Sequence, residues 1–161
     1  GEEFGIRMFG LHALNSLRLE KGFGSWAREY RPIYDPFEAN LGRFIQMDKD
    51  FIGRDALAAK YADDGPGASR ALVTFTVESD AGRDGVDVIG DEPIWHDGEV
   101  VGWVTSGGYA HHSETSVAMG YVPAALAESD GPWQIEIIGD MKTATRVDGC
   151  IWDTEAERMR S

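Results

Sequence analysis

The chain contains 161 residues, of which 42% are hydrophobic and 27% charged, and it carries a formal net charge of −13. That charge argues against a nucleic-acid partner, because a phosphate-binding surface needs clustered Lys and Arg, and no apolar run is long enough to span a bilayer. The single cysteine, Cys150, cannot form an internal disulfide. We therefore expect a globular protein of the cytoplasm, with neither nucleic acid nor membrane as partner.

The first part of the chain, residues 1–62, has a helical and irregular pattern. Leucines recur near helical spacing and predict a helix over residues 10–21, which ends at Gly22. Good helix formers predict a second, short helix over residues 54–61. Because the chain opens without an initiator Met or a helix cap, we expect it to be part of a longer protein, with this first part belonging to the end of a preceding domain.

The second part, residues 63–161, holds the whole acidic excess and opens with the turn-forming run Asp63-Asp64-Gly65-Pro66-Gly67. Asp97-Gly98 is a strong hairpin signal that would pair Trp95 with Val100, and Gly139-Asp140 predicts a second turn. Strand formers then predict six short strands. These cover residues 71–77, 94–95, 100–104, 116–121, 134–138 and 143–147.

Short strands with turn signals at close intervals are typical of a small antiparallel barrel or sandwich. The predicted fold class is therefore α+β, mainly antiparallel β, with two helices preceding a barrel over about residues 70–150. Trp103 lies on a predicted central strand, and we expect it to be buried in the barrel.

No set of side chains in the sequence has the residue types and spacing of a catalytic acid, base or nucleophile, or of a metal site. His111-His112 with Glu114 is the first metal candidate, but adjacent histidines point apart on a strand and a loop pair is favoured. Ser106 and His111 lack the G-x-S-x-G context of an activated serine. The Gly-rich run Thr105–Gly108 lacks the Lys of a phosphate loop, which favours a tight β turn.

One segment combines aromatic and cationic side chains, and two interpretations of it remain open. It contains Trp26, Tyr30 and Tyr34 together with Arg28 and Arg31. Such a segment could stack on a heterocyclic ligand. The alternative, which we favour, is a packed junction between domains.

Four motifs in order resemble those of the glycine cleavage T-protein family. Ala13–Gly22 is similar to A-R-D-x-L-R-L-E-A-G, and Asp35–Phe44 followed by Asp50–Leu57 is similar to P-x-E-A-x-L…D-F-I-G-R-x-A-L. Gly102–Tyr109 resembles G-x-V-T-S-G-x-Y/F, and Ala118–Pro123 resembles A-x-x-Y-V-P. The resemblance implies that residues 1–62 are the end of a folate-binding domain and its connector, and that residues 63–161 are the family's C-terminal β-barrel and tail.

The residues of the first motif indicate which members of the family this chain resembles most. Where the simple aminomethyltransferases carry an Arg-Asp pair, this chain has Leu14 and Asn15, and the run Ala13–Gly22 looks more like that of dimethylglycine and sarcosine dehydrogenases. The resemblance then implies a parent enzyme whose FAD domain oxidises an N-methyl amine and whose T-protein-like part passes the one-carbon unit to tetrahydrofolate. The alternatives are a plain T-protein or folate-dependent demethylase without flavin, and a non-catalytic barrel module.

The resemblance also implies which residues reach the folate. The family's catalytic Asp lies in an earlier domain, so no catalytic residue is expected here. Arg43 and Phe44 fall on the stretch that reaches the folate pocket and are the expected cofactor-binding residues. Arg18, Glu20 and Glu38 are expected to hold the domains together, so the partner of this chain would be the rest of its own polypeptide.

Overall fold

A computed structural model describes residues 1–79 and 85–160. Its helices and strands alternate with short 3₁₀ turns at Glu2–Phe4, Gly42–Phe44 and Ala124–Leu126. The helices are α1 (Leu11–Glu20), α2 (Arg54–Lys60) and α3 (Glu157–Arg160); the strands are β1 (Arg70–Val77), β2 (Pro93–His96), β3 (Glu99–Ala110), β4 (Thr115–Pro123), β5 (Trp133–Ile137) and β6 (Asp140–Val147).

The six strands form a closed barrel in the order β1-β4-β3-β2-β5-β6, and every pair of neighbours is antiparallel. Closure comes from β1, which pairs with β4 along one edge and with β6 along the other. The predicted fold class is confirmed: an antiparallel barrel follows two helices that lie within one residue of the predicted bounds. Gly22 ends α1 in the left-handed region with φ of 64°, as the sequence predicts.

Two tight hairpins fix the strand register. Asp97 and Gly98 both have positive φ, the geometry of a two-residue type I′ turn, and Trp95 pairs with Val100 as predicted. The turn predicted at Gly139-Asp140 instead lies one residue earlier, at Ile138-Gly139, with φ of 49° and 84°. The reason is packing: alternate β5 residues point inward up to Ile137, which pairs with Asp140 and leaves two residues for the turn.

The barrel interior is filled by alternating apolar side chains. Phe75 packs against the Trp133 indole with ring centroids 5.2 Å apart, and Ile94, Val104 and Ile135 surround them with no exposed surface. The prediction that Trp103 is buried in this core is wrong. Neighbouring residues on a strand point to opposite faces, so inward Val104 places Trp103 outside, half-buried.

A second apolar cluster covers one outer face of the barrel. Leu19 of α1 meets Leu72 of β1 together with Met119 and Tyr121 of β4. Strands β1 and β4 are therefore buried on both faces over most of their length, which is why their sequences alternate only loosely.

The Gly-rich run Thr105–Gly108 lies inside β3, so the tight turn expected there is wrong. Gly107 allows the loop around Val88 to cross close to the strand. A Cβ on Gly107 would lie 2.7 Å from the Val88 carbonyl oxygen. The Gly107 N–H donates to the Ile89 carbonyl at 2.8 Å, so this part of β3 is hydrogen-bonded to the loop that crosses it.

The apolar side chains exposed on the first part are large and numerous. On α1, Leu11, Leu14 and Leu17 point outward, whereas Ser16 and Glu20 are buried against the barrel. Phe4 is 80% exposed and Met8 99%. Apart from buried Leu19, α1 thus exposes its leucines and packs polar side chains against the barrel, unlike an ordinary surface helix. No helix within the described residues is long and apolar enough to cross a bilayer.

Candidate functional site

A cleft with a volume of about 840 Å³ lies against the outer face of β1 and β4. A volume of that size is within the range of small-molecule sites. Its walls come from four places: the end of α1 and the following loop, the loop before α2, the barrel and the C-terminal tail. The lining residues include Lys21, Phe23, Tyr30, Asn40, Arg43, Phe44, Thr74, Met119, Cys150, Thr154 and Arg160.

Arg43 and Phe44, the two predicted cofactor-binding residues, both line this cleft. The Arg43 guanidinium lies 4.7 Å from the centre of the Phe44 ring, and Phe44 is 64% exposed. Within residues 1–79 and 85–160, Arg43 forms no ion pair. A free cation beside an exposed ring suits a ligand that has both a flat heterocycle and an anionic group.

The loop that carries these residues is fixed to β1 around Leu72. The Leu72 N–H donates to the Glu38 carbonyl at 3.0 Å, and Asn40 Nδ2 donates to the Leu72 carbonyl at 2.7 Å. Asn40 has φ of 58°, a conformation that asparagine tolerates better than most residues. A Cβ on Gly42 would lie 2.8 Å from the Phe37 ring, so a glycine is needed for the turn to pack.

The C-terminal tail forms the opposite wall and is held by α1. The Trp152 N–H donates to the Glu20 carbonyl at 3.1 Å, and Lys21 Nζ lies 3.2 Å from Asp153 Oδ2. Both side chains of that ion pair are about nine-tenths buried. Lys21 is therefore paired with Asp153, and the cations of the cleft lining that form no ion pair within the described residues are Arg43 and the tail residue Arg160.

An ionic network fastens the first part of the chain to the start of the barrel. Glu38, 3% exposed, accepts hydrogen bonds from the Ser69 N–H at 3.0 Å, the Ser69 hydroxyl at 2.9 Å and Lys60 Nζ at 3.0 Å. Burial alone would raise the pKa of Glu38, but these hydrogen bonds outweigh burial and lower the pKa to about 2. Asp35 binds Lys60 and Tyr61, and burial together with that carboxylate raises the pKa of Tyr61 to about 12.

Polar side chains of α1 also form hydrogen bonds with the turn between β3 and β4. Glu20 accepts the His112 N–H at 2.9 Å and the Ser113 hydroxyl at 3.2 Å. Arg18 pairs with Glu29 at 3.4 Å, and burial lowers the pKa of Arg18. Glu20 and Glu38 thus join the first part to the barrel, as expected. Among the described residues, the contacts of Arg18 stay within the first part, at Asn15, the Phe23 carbonyl and Glu29, so the structure does not give Arg18 the expected role between domains.

Other residues singled out in the sequence do not meet in a site. The His111 ring packs on Tyr109 and the His112 ring on Trp152, and no metal-binding cluster occurs among the residues that the structure describes. The Ser106 hydroxyl is buried and has no hydrogen-bond partner among the residues that the structure describes. Within the aromatic segment, Tyr30 lines the cleft, whereas Trp26 is 83% exposed.

Tyr34 supports the junction interpretation of that segment. Its ring stacks on Tyr121 of β4 with centroids 3.6 Å apart, and the Tyr121 hydroxyl donates to the Glu29 carbonyl at 2.9 Å. Burial raises the pKa of both tyrosines. The segment therefore packs on the barrel through Tyr34 and reaches the cleft only through Tyr30.

Residues 70–153 match the glycine cleavage T-protein C-terminal barrel domain. This match covers more than half of the chain and begins at the first residue of β1. The chain belongs to the glycine cleavage T-protein family. Residues 1–49, which carry α1 and the loop with Arg43, match the GCVT N-terminal domain. The cleft therefore lies where the two T-protein regions meet.

Named relatives in the T-protein family are enzymes. Mouse mitochondrial dimethylglycine dehydrogenase is 40% identical over 99% of this chain, which spans 18% of that protein. The aminomethyltransferase of Acidobacterium capsulatum is 38% identical over 85% of this chain, which spans 35% of it. The crystal structure of aminomethyltransferase T of the glycine cleavage system from Bartonella henselae superposes with a TM-score of 0.74 at 28% identity, covering 90% of this chain and 39% of that one.

Several cleft residues were not predicted from the sequence. Asn40 lies inside a recognised motif, but the motif gave no sign that its amide would bind β1. Lys21 and Asp153 are 132 residues apart, so no local pattern could join them. No pattern in the sequence marked the tail residues Cys150 and Thr154 as part of the cleft wall.

Proposed function

We propose that this chain is the C-terminal part of a tetrahydrofolate-dependent, aminomethyltransferase-like enzyme, in which it supplies one wall of the folate site. The observation that carries the proposal is the position of Arg43 and Phe44 on a cleft of about 840 Å³. The cleft joins a segment of the N-terminal domain type to the barrel, and its free cation and exposed ring match the anionic and aromatic ends of a folate.

The exposed apolar surface of the first part supports a larger parent. Leu11, Leu14 and Leu17 face away from the barrel, and Phe4 and Met8 lie on the same part of the chain. Large apolar side chains exposed together on one short segment are typical of a contact with another protein part. We propose that the remainder of the N-terminal domain covers it, and that the boundary between the two domains lies near residue 62.

We further propose that the parent is a flavin-linked dehydrogenase of the dimethylglycine or sarcosine type. The match to the mouse dehydrogenase extends over 99% of the chain, against 85% for the aminomethyltransferase, at similar identity. Leu14 and Asn15 replace the Arg-Asp pair of the simple enzymes. FAD would be bound by the parent outside this chain, the substrate would be a small N-methyl amine, and the free thiol of Cys150 suits a reducing compartment such as the cytoplasm.

A plain aminomethyltransferase or a folate-dependent demethylase without flavin is the second candidate, because the barrel match alone does not distinguish the two. The length of the parent reading frame separates them: a parent with a flavin domain should be roughly twice as long. A parent no longer than the aminomethyltransferases would reject the dehydrogenase.

In the longer protein, the role of the cleft is tested by Arg43→Ala and Phe44→Ala. If the chain forms a wall of the folate site, amine oxidation should continue while less one-carbon unit is captured as methylene-tetrahydrofolate and more is released as formaldehyde. Arg31→Ala, a substitution of another first-part arginine that does not line the cleft, is the control. Equal capture by the Arg43 variant and the unmodified enzyme would exclude Arg43 from the folate site.

A further inference from the structure

Away from the folate cleft, Ser129, His96 and Asp97 form a hydrogen-bonded row where β2 meets the loop before β5. Ser129 Oγ lies 2.9 Å from His96 Nε2, and His96 Nδ1 lies 3.2 Å from Asp97 Oδ2. His96 is 8% exposed, whereas Ser129 is half-buried and within reach of solvent. None of the three residues belongs to the cleft or to the networks that join the two parts of the chain.

The surroundings hold both the imidazole and the hydroxyl in place. The Trp133 ring packs edge-on against the His96 ring at 4.3 Å, and its Nε1 donates to the Ser129 carbonyl at 2.9 Å. The Gly131 N–H donates to Ser129 Oγ at 3.1 Å. The ring and the hydroxyl are thus each held by a buried aromatic side chain or a backbone group in addition to their contact with each other.

The Gly131 backbone packs closely against both the imidazole and the hydroxyl. A Cβ at this position would lie 2.5 Å from His96 Nε2 and 3.1 Å from Ser129 Oγ. A cavity of about 510 Å³ begins at Asp130 and Gly131 and continues between β5 and β6. That cavity adjoins the row through Gly131 but is not lined by Ser129 itself, so a small molecule would approach the hydroxyl from the solvent side of half-buried Ser129.

The order of the three groups has a chemical consequence. A serine hydroxyl is a weak nucleophile unless a neighbouring base removes its proton. With the imidazole proton on Nδ1, facing the Asp97 carboxylate, Nε2 is left to accept the proton of Ser129, which is the division of roles in a Ser-His-Asp triad. We propose that Ser129 is an activated nucleophile, with His96 as its base and Asp97 as the residue that orients the base, and that the site hydrolyses small esters.

Each step conserves atoms and electrons. Ser129 Oγ bonds to the ester carbonyl carbon and its proton passes to His96 Nε2; the bond from that carbon to the alcohol oxygen then breaks, and His96 returns the proton to the departing alcohol. Water, deprotonated by His96, attacks the acyl-serine in the same way and releases the acid. The sum is ester plus water giving acid plus alcohol, with no oxidant or cofactor.

The test is labelling of the purified chain with a fluorophosphonate, followed by peptide mass spectrometry. The Ser129 Oγ–P bond forms, the P–F bond breaks, and fluoride leaves as His96 takes the proton. We expect the adduct on Ser129, a loss of labelling rate of about 100-fold in His96→Gln and at least about tenfold in Asp97→Asn, since a positioned base contributes about 10² to 10⁴. Ser25→Ala removes a serine outside the row. In this variant, Ser129 should be labelled at the same rate as in the unmodified chain.

The Asp97 variant keeps the test decisive if His96→Gln fails to fold, because Asp97 is 68% exposed at a turn and its loss spares the core. Hydrolysis of p-nitrophenyl acetate by the same proteins should follow the labelling and be abolished in Ser129→Ala. No adduct on Ser129, or an adduct formed at the same rate in folded Asp97→Asn, would overturn the proposal.

Discussion

The Glu38 carboxylate accepts both the backbone N–H and the hydroxyl of Ser69, 31 residues later in the chain, through the same oxygen. Ser69 immediately precedes β1. This contact therefore connects the loop that carries the predicted folate-binding residues to the first strand of the barrel, and it sets the position of one wall of the cleft relative to the other.

Replacing this carboxylate tests the connection. Glu38→Gln should lower the free energy of unfolding by about 2–3 kcal/mol at pH 7, because buried charged hydrogen bonds are lost while Lys60 keeps its charge. Glu99→Gln, at an exposed position, should leave the free energy of unfolding within about 0.5 kcal/mol. Urea denaturation followed by tryptophan fluorescence measures both. An unchanged midpoint in the Glu38 variant would show that the network does not stabilise the fold.

The same carboxylate predicts a pH dependence of stability. The pKa of Glu38 falls from 4.5 to about 2 on folding, so its contribution is complete above about pH 5 and is lost as the pH falls towards 2. The difference in unfolding free energy between the unmodified chain and Glu38→Gln should therefore shrink between pH 7 and pH 3. A difference that stays constant over this range would contradict the assigned direction.

Tryptophan substitutions separate the barrel core from its surface. Trp133→Ala should cost about 3–5 kcal/mol, because the ring is 2% exposed and fills the interior. Trp103→Ala should cost only about 1–2 kcal/mol, since that ring packs outside the barrel against the Arg70 guanidinium. Thermal denaturation of the two variants, with Trp26→Ala as the exposed control, gives the ranking. A larger loss for Trp103 than for Trp133 would contradict the observed orientation of β3.

Asn40 combines two roles that substitutions can separate. Asn40→Ala should destabilise the chain by about 2 kcal/mol, because it removes the hydrogen bond from the side-chain amide to the Leu72 carbonyl and places alanine at positive φ. Asn40→Gly removes only the hydrogen bond, since glycine adopts this conformation freely, and should cost about 1 kcal/mol. Calorimetric melting of both proteins measures the difference. Equal losses would mean that the backbone conformation contributes nothing.

The outward leucines of α1 are expected to matter for association rather than for stability. Replacing Leu11 and Leu17 together by Gln should leave the melting temperature within a few degrees and reduce self-association of the chain at high concentration. Leu19→Gln is the matched control, because it places a polar group in a fully buried position and should unfold the chain. Sedimentation velocity measures the first effect. Unchanged association would argue against an uncovered contact surface.

Local sequence patterns predicted most of the fold and little of the cleft. Turn chemistry at Asp97-Gly98 and the Gly22 helix end are encoded within a few residues, so they could be recognised directly. The side of the sheet on which Trp103 lies was predicted wrongly. Its partner strand β4 is buried on both faces, so its sequence shows no polar–apolar alternation from which the inward face could be recognised. The Lys21–Asp153 pair depends on closure of the whole barrel between them.

Titration of the chain with tetrahydrofolate, kept reduced under anaerobic conditions, tests the central claim most directly. A small ligand needs walls over most of its surface, and this chain supplies only one side of the site, so calorimetry should give a dissociation constant no tighter than about millimolar, or about 4 kcal/mol. That weak binding should disappear in Arg43→Ala. A micromolar dissociation constant for the unmodified chain would contradict the account, because it would place a complete folate pocket within these residues.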